Sequence, residues 1–295
     1  MQRWPSQEAA IAHLEQVRWH GRPVCPYCQS DKVCPHASKD KKLPRWQCQS
    51  CHRAFSVTVG TIFHHTHLPL QTWFLALAIM LNAKKNVSNA QLARDLGLPY
   101  KTAWALALRV REAMLTDPEQ RRLFEGIVEM DEVYIGGKPR PSNDKQGKQG
   151  GGHKRGRGTD KMPVVGVVER HGRAFAKAVA KTALSAGHMT AFVRRYVDAA
   201  RAVVMTDEYA GYRGLKAITQ HYAINHSVAY VDGNTHTNTI DGFWALIKRA
   251  WYGQHHHYSP KWADHYISET TYKYNNRTND HVFHDLMRHM VGVAV

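Results

Sequence analysis

Two Cys-x-x-Cys pairs near the start of the chain restrict how it can fold more than any other feature of the sequence. Cys25 and Cys28 form the first pair, Cys48 and Cys51 form the second, and 19 residues separate them. This spacing is typical of a structural zinc site, because each short gap lets two thiolates face one ion. Four thiolates leave no open coordination position, so the sequence predicts a zinc ribbon whose metal contributes to folding.

Three other potential metal ligands lie near these pairs. Cys34, His36 and His52 fit the ribbon spacing less well than the four cysteines do, and we predict that they are not ligands. Five cysteines in a chain of this size also do not resemble the disulfide framework of a small secreted protein.

The charge balance indicates a polyanionic partner. The 295 residues include 40 lysines and arginines against 24 acidic residues, a formal net charge of +16. This excess favours nucleic acid over a neutral metabolite, and the alternative is a basic protein with no nucleic-acid role. The longest apolar run, from Trp73 to Leu81, is far shorter than the roughly 20 residues that span a bilayer. We therefore expect no membrane partner and a cytoplasmic, nucleoid-associated protein.

Hydrophobic periodicity divides the chain into three predicted domains. Residues 1–66 carry an amphipathic helix with Ser6 as its predicted N-cap, then the cysteine pairs, then a β-branched stretch at 55–61 predicted to form short strands. Residues 67–120 have helical periodicity, and residues 121–295 begin with strand-like segments and end in a helical third. The predicted strands of the last domain are 127–135, 163–169, 174–180 and 202–206, with a helix near 188–200 before the fourth.

A basic, Gly-rich segment at 138–161 interrupts the third domain. It has no apolar pattern and is predicted to be a loop, which either contacts the DNA backbone or serves as a solvated linker. Its candidate DNA contacts are Lys154, Arg155 and Arg157.

Residues 88–114 indicate a helix-turn-helix. Leu92, Ala93 and Leu96 form an apolar face, Gly97 supplies a turn, and a second helix follows. The start of the second helix would face base edges and the arginines would meet phosphates, with a purely structural hairpin as the alternative. The candidate DNA contacts are Arg94, Tyr100, Lys101, Thr102, Arg109 and Arg111.

Three aspartates are candidate metal ligands because of their positions in the predicted strands and helices. Asp131 lies inside an apolar strand, where an unpaired charge is costly unless it binds metal or forms hydrogen bonds. Asp207 ends another apolar strand, at the sheet edge where α/β proteins usually place function. Asp241 follows 34 positions later, at the start of a helical segment. Three acids on two strands and a helix can converge on a metal pair, and their hard oxygen ligands favour Mg²⁺ or Mn²⁺.

The glutamates beside these aspartates are predicted to play other parts. Glu129 shares a strand face with Asp131, whereas Glu132 and Glu208 are immediate neighbours of Asp131 and Asp207 and should point away from them. We predict surface or ion-pair roles for the three glutamates.

Lys248 is a candidate basic residue of the same site. It lies seven residues after Asp241, two helical turns further on and on the same face, where a cation would hold a DNA end beside the metals. A solvated surface lysine is the alternative.

Several motifs spread over the chain resemble one known family. They are Cys-Pro-Tyr-Cys at 25–28, Gly-Thr-Ile-Phe at 60–63, Asp-Glu at 131–132 before Gly-Gly at 136–137, Thr-Asp at 206–207, and Asn-Thr-Ile-Asp-Gly-Phe-Trp at 238–244. Together they resemble the ISXO2-like insertion-sequence transposases, which combine an N-terminal zinc ribbon with a DDE domain. The likeness covers almost the whole chain.

The resemblance implies a multidomain fold, with an N-terminal zinc ribbon and helical (helix-turn-helix) region followed by an α/β ribonuclease-H-like catalytic domain. It implies that Asp131 and Asp207 are the first two catalytic acids, Asp241 the third, and Lys248 the basic residue that follows it. The third acid is commonly glutamate in this family. Asn238, three residues before Asp241 on the same face, is therefore an alternative ligand.

The resulting hypothesis is a DNA transposase that binds the terminal repeats of an insertion sequence and catalyses metal-dependent cleavage and strand transfer. It would carry structural Zn²⁺ and catalytic Mg²⁺ or Mn²⁺, act on double-stranded DNA at element ends and target sites, and form a homodimer or higher oligomer. Two alternatives stay open: a nuclease or resolvase of the same fold that does not join strands, and an inert zinc-dependent DNA-binding regulator.

Overall fold

The computed structural model describes four stretches of the chain, residues 4–37, 43–137, 158–224 and 236–292. They belong to two compact units. The first unit comprises Met1–Met114 and Thr278–Val295, and the second comprises Leu115–Arg277. The second unit is therefore an insertion in the sequence of the first. Within the described stretches, no helix combines the length and apolar character needed to cross a membrane.

Helices and strands occur mostly in groups along the described residues. The helices are α1 (Gln7–Trp19), α2 (Leu70–Asn82), α3 (Asn89–Leu96), α4 (Tyr100–Leu115), α5 (Ala186–Tyr196), α6 (Asn238–Ala250), α7 (Ala263–Asn275) and α8 (Val282–Met290). The strands are β1 (Val33–His36), β2 (Arg45–Cys48), β3 (Ala54–Phe55), β4 (Phe124–Ile135), β5 (Met162–Glu169), β6 (Ala174–Ala178), β7 (Val197–Asp207) and β8 (Gln220–Ile224).

The first unit begins with a capped helix and a small antiparallel sheet. Ser6 accepts a hydrogen bond from the Ala9 N–H at 3.2 Å, which confirms the predicted N-cap of α1. Strands β1, β2 and β3 pair in that order. The strand predicted over 55–61 is wrong beyond Phe55, and turns replace it. The Thr61 hydroxyl donates to the Thr58 carbonyl at 2.7 Å, a local bond that competes with strand pairing.

Helices α3 and α4 form the predicted helix-turn-helix. Ser88 caps α3 by accepting from the Gln91 N–H, and Gly97 ends it at a φ of 63°, a conformation that glycine adopts readily. Arg111 corrects one prediction, because its side chain is only 1% exposed and cannot meet a phosphate. It donates instead to the Asn89 side chain at 2.9 Å and to the Val87 carbonyl at 3.0 Å, which holds α4 against the start of α3.

The second unit contains a five-stranded mixed sheet in the order β6-β5-β4-β7-β8. Neighbouring strands β4, β5 and β6 are antiparallel, whereas β4, β7 and β8 are parallel. This order, with the first strand of the unit at the centre, is that of the predicted ribonuclease-H-like fold. Strand β7 begins at Val197, five residues earlier than predicted, because the helix before it ends at Tyr196. Strand β8 was not predicted, since this partly exposed edge strand lacks an apolar alternation.

Two hydrophobic cores lie on opposite faces of this sheet. On one face, Val133 and Ile135 of β4 pack with Phe243 and Trp244 of α6 and with side chains of α7. On the other face, Val128 and Met130 of β4 pack with side chains of α5 and of residues 210–217. Successive residues of β4 thus alternate between the two faces, as a strand requires. The alternation places Glu129 and Asp131 on the α6 face.

Candidate active site

The four paired cysteines come together as the sequence predicted. The sulfurs of Cys25 and Cys51 lie 3.6 Å apart, as do those of Cys28 and Cys48, and all four lie within 4.8 Å of one another. Sulfurs bound at about 2.3 Å to a tetrahedral zinc lie about 3.8 Å apart, so the cluster fits this ion. None of the four forms a disulfide.

Local structure supports thiolate character at Cys48. The Cys51 N–H points at the Cys48 sulfur at 3.5 Å, and this backbone hydrogen bond is the largest of the interactions that lower the pKa of the Cys48 thiol. Cys34 and His36, as predicted, lie outside the cluster, where each contacts Gln47. The cysteine cluster is therefore a zinc ribbon in its geometry.

The register of β4 and β7 brings the first two aspartates together. These parallel strands pair Val128 with Val204 and Glu129 with Met205. Continued by two residues, the same register sets Asp131 beside Asp207, the last residue of β7. Parallel strands in register direct such side chains to the same face. Strand β4 continues to Ile135, whereas β7 ends at Asp207. The two aspartates therefore lie at the end of β7, and β4 extends beyond that point.

Glu132 joins the two aspartates, and the prediction that it points away is wrong. Carboxylate oxygens of Asp131, Glu132 and Asp207 all lie within 4.8 Å of one another, and we call these three residues the acidic cluster. The pairing of β4 with β7 ends before Glu132. Side chains from both faces of β4 can therefore reach the space beyond the end of β7. Glu208 is exposed and outside the cluster, in agreement with its prediction.

The electrostatics of the acidic cluster favour a bound cation. Burial, with the nearby charges of Glu132 and Asp207, raises the pKa of Asp131 to about 7. Burial and the same carboxylates also raise the pKa of Tyr212 well above its ordinary value. Carboxylates this close repel one another unless a positive charge lies between them. Their hard oxygen donors are the ligands that divalent cations such as Mg²⁺ accept.

Each carboxylate of the acidic cluster is oriented by a hydrogen-bond donor. The Trp244 indole N–H donates to Oδ2 of Asp131 at 2.9 Å, and the Tyr212 hydroxyl donates to Oε2 of Glu132 at 2.5 Å. The Tyr209 backbone N–H donates to Oδ1 of Asp207 at 3.0 Å. The sequence does not indicate the roles of Trp244 and Tyr212, because the carboxylates that they contact lie on β4, 113 and 80 residues away. Tyr209 contacts Asp207, two residues before it, through a backbone group that any residue would supply.

Helix α6 carries the remaining predicted site residues. Asn238, Asp241 and Lys248 are all exposed, and their spacing places them along one side of the helix. Trp244, which contacts Asp131, lies one turn after Asp241 on this helix. Among the described residues, however, Asp241 is not part of the acidic cluster. The third carboxylate of that cluster is Glu132.

A glycine opposite Asp131 makes room for Trp244. Gly166 of β5 pairs with Asp131 across the antiparallel register. A Cβ atom at Gly166 would lie 2.5 Å from Cη2 of Trp244 and 3.1 Å from the Phe175 carbonyl oxygen. The indole can therefore reach Asp131 because position 166 has no side chain.

We expect Gly166→Ala to destabilise the second unit by about 1–3 kcal/mol, because overpacking forces neighbouring side chains or backbone to shift. Urea denaturation followed by circular dichroism would measure this change. Gly187→Ala is a matched control, since a Cβ built on this residue of α5 would meet no atom within 4 Å other than those of its chain neighbours and of the adjacent backbone of its own helix. Equal stability changes in the two variants would contradict the role of Gly166.

The predicted DNA contacts of the helix-turn-helix lie mostly on the surface. Arg94, Tyr100, Lys101 and Arg109 are exposed, and Thr102 is partly buried. Arg109 also donates to the carbonyls of Ile62 and His64 at 3.3 and 3.2 Å. The candidates Lys154, Arg155 and Arg157 lie outside the described residues.

Comparison with known proteins gives two family matches and one relative. Residues 124–275 match the ISXO2-like transposase domain, and residues 5–54 match the transposase zinc-ribbon domain. A Halobacterium salinarum protein, described as an uncharacterized protein in transposable element ISH50, is 30% identical over 257 residues. That alignment covers 85% of this chain and 84% of the relative.

Two solved structures share distant similarity with the chain. A chain in the crystal structure of the Mos1 strand transfer complex is 12% identical, with 74% of this chain and 75% of that one covered at a TM-score of 0.30. A chain in a pre-cleavage Mos1 transpososome is 10% identical, with 67% and 78% covered at a TM-score of 0.20. The family matches cover more than half of this chain and agree with its relative. The chain belongs to the ISXO2-like transposase family.

Proposed function

We propose that this protein is a DNA transposase that binds the terminal repeats of an insertion sequence and catalyses phosphodiester cleavage followed by strand transfer. The observation that carries the proposal is the acidic cluster, in which Asp131, Glu132 and Asp207 approach within 4.8 Å at the end of β7. The net charge of +16 suits a polyanionic substrate.

The proposed ligands of the catalytic metal are Asp131 and Asp207, with Glu132 as a further close carboxylate. Mg²⁺ or Mn²⁺ ions bound here would supply an activated attacking oxygen and stabilise the leaving oxygen. Trp244 and Tyr212 orient two of these carboxylates through their hydrogen bonds, so the ligands are held before DNA binds.

Helix α6 is the proposed source of the remaining catalytic groups. Asp241 on its first turn, or Asn238 three residues earlier, would complete the metal site when DNA is bound. Lys248, on the same exposed side of the helix, would contact the phosphate backbone of the DNA end.

DNA recognition is assigned to the helix-turn-helix and the ribbon. Tyr100, Lys101 and Thr102 at the start of α4 would face base edges, while Arg94 and Arg109 would contact phosphates. Lys154, Arg155 and Arg157 are proposed as further backbone contacts. Two DNA ends must be joined to one target, so we propose that the enzyme acts as a homodimer or larger assembly.

An in vitro strand-transfer assay tests this function. The purified chain would be incubated with Mg²⁺ or Mn²⁺, a plasmid target, and labelled duplexes taken from both flanks of its coding sequence. We expect labelled DNA joined to the plasmid. Cleavage without joined product would indicate a nuclease, and binding without chemistry in either metal would indicate a regulator. Either outcome would refute the transposase.

A further inference from the structure

Glu129 is a fully buried carboxylate beside the acidic cluster. It lies on β4, two residues before Asp131 and on the same face, with 0% of its surface exposed. A buried charge is costly unless partners compensate it, so those partners indicate its role. Oε1 of Glu129 accepts from Nε of Arg170 at 2.7 Å. The predicted ion-pair role of Glu129 is thereby confirmed.

The other partners of Glu129 lie at the start of α6. Its Oε2 accepts from the backbone N–H groups of Thr239 at 2.8 Å and Ile240 at 2.9 Å. Its Oε1 also accepts from the Thr239 hydroxyl at 3.0 Å. The first N–H groups of a helix lack partners within the helix, and the N-cap residue Thr237 makes no side-chain capping bond. Glu129 therefore caps α6 from a neighbouring strand, with its negative charge at the positive end of the helix dipole.

Arg170, which pairs with Glu129, also contacts the segment before α6 and strand β4. Its Nη2 donates to the His236 carbonyl at 2.9 Å, and its backbone N–H donates to the Ile127 carbonyl of β4 at 3.0 Å. The guanidinium thus ties the segment before α6 to the same strand that carries Glu129. The first turn of α6 is held both through its N–H groups and through the chain that leads into it.

The position of this first turn determines where the proposed catalytic groups of α6 lie. Asp241 directly follows Ile240, and Trp244, one turn later, donates to Asp131. We propose that Glu129 is a positioning residue for the reaction, because its cap fixes the first turn of α6 and hence the distance of Asp241 from the acidic cluster. This inference rests on the proposed function.

The test uses Glu129→Gln in the full chain, because glutamine keeps the size of the side chain but presents an N–H₂ group to donors. We expect the Mn²⁺ concentration for half-maximal DNA cleavage to rise, and the rate at saturating Mn²⁺ to fall, each by about 10-fold or more, as outer-shell substitutions do. Hydrogen exchange at the Thr239 and Ile240 amides should become faster than in the wild type.

Glu269→Gln is the matched control. Glu269 is also 0% exposed and pairs with Lys273 at 2.9 Å, but this pair lies within α7. The control should lower the thermal midpoint without changing the Mn²⁺ dependence. A change in Mn²⁺ dependence no larger for Glu129→Gln than for Glu269→Gln would overturn the proposal.

Two further measurements keep the inference testable by itself. If Glu129→Gln does not fold, Glu129→Asp keeps the charge one methylene further from α6 and should shift the Mn²⁺ dependence in the same direction, whereas a wild-type curve would overturn the proposal. If the wild type cleaves no DNA, the proposed function fails. Mn²⁺ binding by calorimetry and amide exchange then still test the cap, and wild-type values in Glu129→Gln would refute it.

Discussion

Replacing Asp131 or Asp207 with asparagine is expected to lower the rate of metal-dependent DNA cleavage by about 10³-fold or more. Charge stabilisation by a bound metal contributes several kcal/mol in the transition state, and each 1.4 kcal/mol corresponds to about a tenfold change in rate. Asparagine preserves the size of each side chain but removes one negative charge from the cluster. The measurement is the initial rate of cleavage of a labelled terminal-repeat duplex at saturating Mn²⁺.

Glu208→Gln provides the control for these variants. It removes one negative charge from the residue next to Asp207, but Glu208 is exposed and lies outside the acidic cluster. Its rate should stay close to that of the wild type. Glu132→Gln and Asp241→Asn, measured in parallel, identify which carboxylate completes the metal site. Wild-type rates for Asp131→Asn or Asp207→Asn would refute the proposed metal site.

Loss of one ribbon cysteine is expected to abolish zinc binding and to unfold the zinc ribbon of the first unit. Cys48→Ser should abolish zinc binding, because serine cannot supply the thiolate that completes the tetrahedral site. Structural zinc contributes about 10–16 kcal/mol to folding in isolated zinc-finger peptides, far more than a small three-stranded sheet can replace. Zinc content by mass spectrometry of the purified protein and protease sensitivity of residues 23–60 would measure the loss.

Cys34→Ser is the matched control for the ribbon. Cys34 lies on β1 of the same small sheet, and its sulfur contacts the Gln47 carbonyl at 3.8 Å outside the cysteine cluster. This variant should keep one equivalent of zinc and its resistance to protease. A full complement of zinc in Cys48→Ser, or its loss in Cys34→Ser, would contradict the assigned ligand set.

Local sequence patterns predicted the ribbon and the first two acids well. The cysteine spacing is short-range information, and the four sulfurs meet as expected. Asp131 and Asp207 were found because a carboxylate in an apolar strand is costly, and the strand register then placed them side by side. Both inferences use forces that act within a few residues of the chain.

Glu132 was misjudged because the alternation rule assumes that a strand has neighbours along its length. Beyond Asp207 that assumption fails, since β4 continues to Ile135 where β7 has ended. Which strand stops first depends on pairing between segments about 75 residues apart, as the register of Glu129 with Met205 shows. The hydrophobic periodicity of either segment alone therefore does not indicate which of the two strands ends first.

Arg111 was misjudged although a signal was present. It follows buried Ala107 by four residues and precedes buried Met114 by three, so helical spacing alone placed it on the inner face of α4. The positive charge outweighed this pattern in the prediction. For Glu129, unlike Arg111, the neighbouring sequence holds no such signal. Its role as a cap depends on Arg170 and Thr239, which lie 41 and 110 residues away.

The inserted order of the two units has a consequence for synthesis of the protein. Phe283 of α8 stacks on Trp4 with ring centroids 5.0 Å apart, and the Ile62 N–H donates to the Met290 carbonyl at 3.2 Å. A ribosome therefore releases the whole second unit before it releases the last helix of the first. The nascent chain can therefore complete the second unit while the first unit still lacks α8. Nascent chains that end after Asp207 and before Thr278 would thus contain all three residues of the acidic cluster without a finished first unit.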